Sequence, residues 1–285
     1  MHNQAKRLAA YQDLAAFTRQ PKPPLSTKYR WPLFSDIGHY LSNPDTKKVT
    51  EVTVESGDTL EITQELKSQG FRPLVLNMAC VHKPGGGWEK GTGAQEESLF
   101  YRSVYYQTLS PHFYPLDDAS AVYSPEVTVF RDTELNNLRG SETWQADFIA
   151  VAALRHPKLT GGGQQGQPDV MRFADVRDLE LTRRKLELIF QVGLQHGHDS
   201  LVLSAFGCGA YRNPPGAIIG LFNELLAKYD GCFQKVVFAI LSPKETAARY
   251  RGSIGMDNLE LFQRGIRGTR IPLLNPHING DTLRS

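Results

Sequence analysis

The sequence predicts an α/β protein in which helices cover both faces of a mixed or parallel sheet. Apolar, strand-like runs recur through the chain, at 73–79, 148–154 and 236–241. Amphipathic helical patterns separate such runs, and the longest spans 172–196. Strands that alternate with helices pair in a sheet that those helices flank. With 285 residues, 40% of them hydrophobic, the chain is long enough to bury a substantial core.

The N-terminal segment is predicted to be an appendage to this domain. Residues 3–19 follow the pattern of an amphipathic helix, with apolar positions at Leu8, Tyr11, Leu14, Ala15 and Phe17. The following Pro21-Lys22-Pro23-Pro24 cluster is typical of a stiff connector. We therefore divide the chain into an N-terminal helix and connector (1–34), a main domain (35–265) and an irregular tail (266–285). Periodicity alone allows the helix either to cover a cleft or to pack on the far side.

The first half of the main domain contains two predicted strands and two predicted helices. Val49–Glu55 alternates β-branched residues and predicts a strand. Asp58 is placed to cap a helix that continues to about Gln69. The strand at 73–79 follows, and a second helix is expected from Gln95 to about Leu109.

The second half continues the alternation of strands and helices. Strands are predicted at 124–131, 148–154, 200–205 and 236–241, with the helix 172–196 before the third of them. Another helix is expected to end near Tyr229. A second run of glycines, at 161–167, predicts a flexible insert because no pair of acidic residues follows it.

The chain is organised around residues 84–97, a glycine-rich stretch that leads from the strand at 73–79 into a helix. Gly85, Gly86 and Gly87 lack a Cβ, so their backbone can approach a ligand closely. The helix opens with Glu96 and Glu97, two carboxylates at the positive end of its dipole. A second glycine-containing turn follows the strand at 200–205. Both loops are therefore expected at one sheet edge, where they would line a single cleft.

Several other classes of site do not fit the residue order. A phosphate-binding Walker loop needs Gly-Lys-Ser/Thr, but Lys90 precedes Gly91 here. The dinucleotide fingerprint fails as well, because Arg212 stands where its third glycine belongs.

Three cysteines without metal spacing fit a reducing, intracellular compartment, cytoplasmic or nuclear. A net charge of +2 implies no nucleic-acid tail, and no apolar run is long enough to span a bilayer. We expect no membrane, metal or cofactor requirement, and a monomer.

Two motifs resemble those of the microbial-type poly(ADP-ribose) glycohydrolases, a branch of the macrodomain superfamily. The first is Pro84-Gly85-Gly86-Gly87 followed after seven residues by Gln95-Glu96-Glu97. The second runs from Leu203 to Pro215 and is similar to the family's diphosphate-binding loop. A segment from Tyr123 to Asp132 also matches. The resemblance implies a macrodomain-like three-layer fold, a glycoside hydrolase, and ADP-ribose or its polymer on modified proteins as the substrate. Reversal of ADP-ribosylation, as in the DNA damage response, is the implied context.

The resemblance also implies a division of roles among the residues. Glu97 would protonate the leaving 2′-oxygen, Glu96 would hold the distal ribose hydroxyls, and water would attack an oxocarbenium-like carbon. The implied substrate-binding residues are Asn77, Gly85, Gly86, Gly87, Gln95, Phe206, Gly207, Cys208, Gly209, Ala210 and Tyr211, with the segment from Gly207 to Tyr211 around the diphosphate and Tyr211 over the sugar. A helix N-terminus lowers a carboxylate pKa, whereas a general acid needs it raised. We expect burial, the paired carboxylate and the substrate to supply that rise.

The sequence departs from the bacterial pattern before the glycines. Lys83 occupies the position where bacterial members carry asparagine, while Trp88 and Leu154-Arg155-His156-Pro157 look more like fungal members. Two alternatives to polymer hydrolysis remain open. One is removal of single ADP-ribose units from protein or nucleic acid. The other is a module that binds ADP-ribose without cleaving it, although such a module has no need for adjacent acids.

Overall fold

A computed structural model describes residues 2–33, 49–161, 171–241 and 257–268. The glycine insert after Gly161 and the tail beyond Gly268 lie outside the described residues. Within the described part of the chain, none of the helices is long and apolar enough to cross a membrane. Cys80, Cys208 and Cys232 are free thiols.

The centre of the molecule is a mixed sheet with the strand order β1-β4-β5-β3-β8-β9-β2. Strands β5, β3, β8, β9 and β2 run parallel to one another, while β1 and β4 pair antiparallel at one side. A separate short ribbon pairs β6 with β7. The strand bounds are β1 (Thr27–Arg30), β2 (Glu51–Glu55), β3 (Pro73–Met78), β4 (Ser120–Val129), β5 (Trp144–Val151), β6 (Leu159–Thr160), β7 (Arg172–Phe173), β8 (Ser200–Leu203) and β9 (Lys235–Ala239).

Helices cover both faces of this sheet, which confirms the predicted three-layer α/β architecture. Their bounds are α1 (His2–Gln12), α2 (Leu14–Thr18), α3 (Thr59–Ser68), α4 (Gln95–Arg102), α5 (Val176–Gln195), α6 (Pro215–Lys228) and α7 (Asn258–Gly265). Leu74 and Leu76 of β3 pack with α5 and α6 on one face. Val75, which points the opposite way, packs with α1, α2 and α4 on the other.

The N-terminal helix is shorter than predicted, because the pattern at 3–19 forms two helices. The helix is interrupted at Asp13, whose side chain accepts a hydrogen bond from the N–H of Ala16 and thereby caps α2. Amphipathic periodicity continues across the break, which is why the sequence did not reveal it. Thr27–Arg30, within the predicted connector region, adds an unpredicted edge strand to the sheet.

Other boundaries also differ from prediction. The helix that begins at Gln95 ends at Arg102 rather than near Leu109, because Ser103 is extended (φ −143°) and caps a short 3-10 turn through Gln107. Strand β4 begins at Ser120, four residues earlier than expected. Helix α5 begins at Val176, after Asp175 caps it and after residues 172–173 have paired as β7.

The buried Arg131 joins the N-terminal helices to the main domain. Its guanidinium donates to the carbonyl oxygen of Ala10 (3.0 Å) and to that of Tyr101 (2.8 Å). It also forms an ion pair with Asp13 at 3.2 Å and lies 4.9 Å from the ring centre of Phe17. The end of α1, the start of α2 and the end of α4 therefore share one cation.

Candidate active site

Two loops meet where β3 and β8 end, as the sequence predicted. The first glycine loop, residues 79–94, connects β3 to α4, and the second glycine loop, residues 204–214, connects β8 to α6. They emerge together because β3 and β8 are parallel neighbours in the sheet. A hydrogen bond of 3.3 Å from the N–H of Val81 to the hydroxyl oxygen of Tyr211 links them directly.

The carboxylate of Glu96 lies inside the first glycine loop and is surrounded by donors. Its Oε1 accepts from Gly85 N–H (3.2 Å) and from Asn77 Nδ2 (3.3 Å). Its Oε2 accepts from Cys80 N–H at 2.8 Å. Asn77 projects from the same face of β3 as Val75, towards α4, and is fully buried. Glu96 is therefore fixed by the strand and the loop together.

The same loop also binds Glu97, at a position two residues after Gly85. Its Oε1 accepts a hydrogen bond from Gly87 N–H at 2.9 Å. A Cβ added to Gly86 would lie 2.6 Å from that oxygen and 3.3 Å from Oε2 of Glu96. Adjacent helical side chains diverge by about 100°, yet the first glycine loop wraps the start of α4 and contacts both carboxyl groups at different backbone N–H groups.

Burial raises the pKa of both carboxyl groups. The pKa of Glu96 rises to about 8, mainly through loss of solvent, and the neighbouring Glu97 charge raises it further against the hydrogen bond from Cys80. The pKa of Glu97 is also raised by burial, while Gly87 N–H and the charge of Arg7 partly oppose the rise. Desolvation thus outweighs the helix N-terminus, and the rise does not need a bound substrate.

Gln95 braces the start of α4 against β3. Its Oε1 accepts from Met78 N–H at 3.0 Å, and its Nε2 donates to the carbonyl oxygen of Leu76 at 2.6 Å. Both halves of the amide are therefore bound to backbone, although the family resemblance implied a role in substrate binding. The contacts observed are those of a positioning residue.

The second glycine loop has a rigid base and an open tip. Gly207 has φ +70°, and its added Cβ would lie 2.5 Å from Ala153. Asn213 Nδ2 donates to the carbonyl oxygens of Leu154 (2.7 Å) and Gly207 (3.2 Å). At the tip, an added Cβ on Gly209 would meet nothing within 4 Å. The chain then enters α6 with Pro215 in its first turn.

The remaining residues predicted in this loop divide between core and surface. Phe206 is buried in the main core, and the Cys208 thiol is buried with its Sγ 3.6 Å from the carbonyl oxygen of Phe206. Burial raises the pKa of Cys208, which makes it a poor nucleophile. Ala210 is exposed and Tyr211 is half-buried at the cleft, where burial raises the tyrosine pKa to about 12.

The N-terminal helix packs against the first glycine loop, a contact that periodicity did not predict. Gln4 Nε2 donates to the carbonyl oxygen of Lys90 (3.1 Å), and Arg7 Nε donates to that of Gly91 (2.8 Å). A Cβ on Gly91 would lie 2.9 Å from both Gln4 and Leu8. Helix α1 therefore supports the loop that holds Glu96 and Glu97.

Three polar groups outside the motifs also surround the site. Lys83, which departs from the bacterial pattern, forms a 3.1 Å ion pair with Glu89, and both are about half exposed. Tyr105 lies beneath Asn77, whose Nδ2 is 3.4 Å from its hydroxyl. Tyr114 lies beside Glu96 and Tyr105. The two tyrosines belong to neither motif, because Tyr105 follows α4 and Tyr114 precedes β4.

Two neighbouring histidines, His196 and His198, lie outside this site and contact other residues. His196 Nε2 lies 2.7 Å from the Tyr29 hydroxyl, and its ring stacks on Tyr123. His198 Nδ1 is 2.9 Å from the carbonyl oxygen of Arg72. Across the described ranges, no group of three or more His, Cys, Asp or Glu side chains has the arrangement of a metal site.

Comparison with known families supports the resemblance found in the motifs. Residues 26–132 match the family model for the catalytic domain of microbial-type PARG, a stretch that contains the first glycine loop and both glutamates. No curated protein matches the chain. The second glycine loop lies outside the family match.

Solved structures of similar fold come from bacteria. Poly(ADP-ribose) glycohydrolase from Thermomonospora curvata, bound to the inhibitor ADP-HPD, has a TM-score of 0.69 and 24% identity, covering 91% of this chain and 98% of its own. The enzyme from Deinococcus radiodurans in complex with ADP-ribose has a TM-score of 0.66 and 25% identity, covering 90% and 98%. The fold is therefore that of these glycohydrolases over nearly the whole chain.

Proposed function

We propose that this protein is a poly(ADP-ribose) glycohydrolase that cleaves ribose–ribose O-glycosidic bonds and releases ADP-ribose. The observation that carries the proposal is the pair of buried carboxyl groups, Glu96 and Glu97, held by backbone N–H groups beside the point where the two glycine loops meet. A protein that only binds ADP-ribose has no use for two adjacent acids whose pKa values are raised. The family match over the same residues supports this reading.

The second glycine loop supplies the binding surface for the diphosphate. Its open tip at Gly209 leaves the backbone accessible, and α6 begins directly after the loop. Backbone N–H groups and the positive end of a helix both favour phosphate oxygens. With the diphosphate there, the chain of the ligand extends towards the first glycine loop, where the distal ribose meets Glu96.

Glu97 is the better candidate for the general acid. Its side chain is slightly more exposed than that of Glu96, 7% against 4%, and only one of its oxygens is bound by the glycine loop. Glu96 accepts two hydrogen bonds at Oε1 and one at Oε2, so Oε2 keeps a lone pair that would accept from a ribose hydroxyl. Glu97 would protonate the leaving 2′-oxygen, and the resulting carboxylate would take the proton of the attacking water.

The decisive experiment compares polymer and single-unit substrates. Purified protein is incubated with poly(ADP-ribosyl)ated protein and, separately, with a mono-ADP-ribosylated one, and released ADP-ribose is measured by mass. We expect release from the polymer and none of the final protein-linked unit. Release from the mono-ADP-ribosylated protein would favour the second hydrolase activity instead.

A matched pair of variants tests the chemistry. Glu97→Gln should bind ADP-ribose with nearly unchanged affinity but lose turnover by about three orders of magnitude, the range of general acid catalysis. Glu89→Gln, in the same loop but solvent-exposed, should keep normal turnover. Unaltered hydrolysis by Glu97→Gln would remove this residue from the mechanism. Binding of ADP-ribose by the unmodified protein without any release would indicate a reader module.

A further inference from the structure

The hydroxyl of Tyr114 is buried yet has no hydrogen-bond partner among the described residues. Buried polar groups in folded proteins are nearly always hydrogen-bonded, because water was given up to bury them. An exception of this kind calls for a physical reason. The residue lies in the segment between the 3-10 turn Pro111–Phe113 and β4.

The segment that carries Tyr114 is fixed from three sides. Lys28 Nζ donates to the carbonyl oxygen of Phe113, and Lys185 Nζ donates to that of Leu116 at 3.0 Å. The N–H of Leu116 donates to the carbonyl oxygen of Val81 at 2.8 Å. Tyr114 is therefore held next to the first glycine loop by backbone contacts on either side of it.

The surroundings of the hydroxyl are those of the cleft. Burial raises the pKa of Tyr114, and the charge of Glu96 is the next cause, followed by Tyr105, Cys80 and Tyr211. Cys80 and Tyr211 are half-buried and belong to the first and second glycine loops, respectively. The unsatisfied hydroxyl therefore lies where the two loops meet, beside the carboxyl group assigned to ribose binding.

We propose that Tyr114 is a substrate-contacting residue whose hydroxyl donates a hydrogen bond to a hydroxyl oxygen of the ribose bound by Glu96. This inference rests on the proposed function and adds a residue to its binding site. A ribose hydroxyl fits because it donates to Glu96 and accepts from Tyr114 at the same time. A phosphate oxygen fits poorly, since it only accepts hydrogen bonds and so could not donate one to Glu96.

The test is the variant Tyr114→Phe, measured in two ways. Because the lost hydroxyl has no partner among the described residues, the melting temperature without ligand should stay the same or rise. The affinity for ADP-ribose, measured by calorimetry, should fall about tenfold, which corresponds to one lost hydrogen bond. A purely structural tyrosine would give the opposite pattern.

Tyr229→Phe is the matched control. Tyr229 is also buried, but its hydroxyl donates to Glu187 Oε1 at 2.9 Å, on the face of the sheet that α5 and α6 cover. Its variant should lower the melting temperature and leave ADP-ribose affinity unchanged. If Tyr114→Phe binds ADP-ribose within twofold of the unmodified protein, or melts as early as Tyr229→Phe, the inference is overturned.

The same data separate this inference from the proposed function. Normal polymer hydrolysis together with unchanged affinity in Tyr114→Phe overturns the inference and leaves the glycohydrolase standing. An unmodified protein that binds no ADP-ribose overturns both.

Discussion

The two glycine loops of this protein look alike in sequence but use their glycines differently. In the first loop, a Cβ on Gly85, Gly86 or Gly87 would lie 2.4 to 2.6 Å from a side-chain atom of the protein itself. In the second loop, a Cβ on Gly207 would lie 2.5 Å from Ala153, but one on Gly209 at the tip would lie in open space. The first loop therefore needs glycine to close on its own side chains, Glu97 among them, whereas the tip of the second loop leaves its backbone free for a ligand. A glycine run adjoining acids can indicate an internal clamp as well as a ligand cradle.

The largest expected effect is on the pH dependence of the unfolding free energy. It tests whether Glu96 is protonated within the first glycine loop. The pKa of Glu96 rises from 4.5 to about 8 on folding, so the folded state binds the proton more tightly than the unfolded state. The stabilisation is complete below pH 4.5 and is lost as pH rises towards 8, by on the order of 3–5 kcal/mol. Denaturant unfolding without ligand at pH 5 and pH 8 measures the difference.

Glu96→Gln should flatten this pH dependence, leaving only the contribution of Glu97. Glu89→Gln, which is exposed, should leave it unchanged. A wild-type unfolding free energy that rises between pH 5 and pH 8 would mean that the clamp stabilises charged carboxylates.

The next effect compares the loops directly by adding one methyl group to each. Gly86 has φ +52°, and its new Cβ would displace Glu97. Since a misplacement of about 1 Å costs on the order of a hundredfold in rate, Gly86→Ala should lose about that much turnover. Gly209→Ala should change the unfolding free energy by less than about 0.5 kcal/mol. It should raise KM and leave kcat unchanged, because its Cβ enters the space left for the diphosphate. Equal losses of kcat in the two variants would erase the distinction between the loops.

The smallest effect concerns the helix behind the first loop. Arg7 holds the carbonyl oxygen of Gly91 and its charge lowers the pKa of Glu97. Arg7→Gln keeps a donor but removes the charge, so the alkaline limb of the rate profile should move to higher pH. Arg7→Lys keeps the charge, so its limb should stay in place while turnover falls by less than about tenfold. Profiles of kcat against pH distinguish the two, and coincident profiles would show that the charge has no influence on Glu97.

Much of the fold followed from local patterns in the sequence. Strands β3 and β9 and the Asp58 cap of α3 lie where expected, while β5 begins four residues before its predicted start. These elements depend on residues that are close together along the chain. The meeting of the two loops also followed, because loops after parallel strands emerge at the same edge of a sheet.

What the sequence could not reveal depends on contacts between distant residues. The contacts of Gln95 require β3 to lie beside α4. The hydrogen bond from Arg7 to Gly91 joins α1 to the first glycine loop, 84 positions apart in the chain. The position of Tyr114 depends on Lys28 of β1 and Lys185 of α5, which bind the backbone on either side of it. A raised carboxyl pKa was expected from burial, but the burial of Glu96 itself depends on β3 and the first glycine loop enclosing its side chain.

The position of Arg131 has a consequence for the order in which the chain acquires its structure during synthesis. Its hydrogen bond to the carbonyl oxygen of Ala10 joins residues 121 positions apart. Helices α1 and α2 leave the ribosome before Arg131, which emerges only after β4 has been made. Isolated helices of this length are marginal in water, so we expect α1 and α2 to remain unstructured on the nascent chain until then. The segment translated early would thus be among the last to fold. The first glycine loop, which α1 supports, would enclose Glu96 and Glu97 at the same stage.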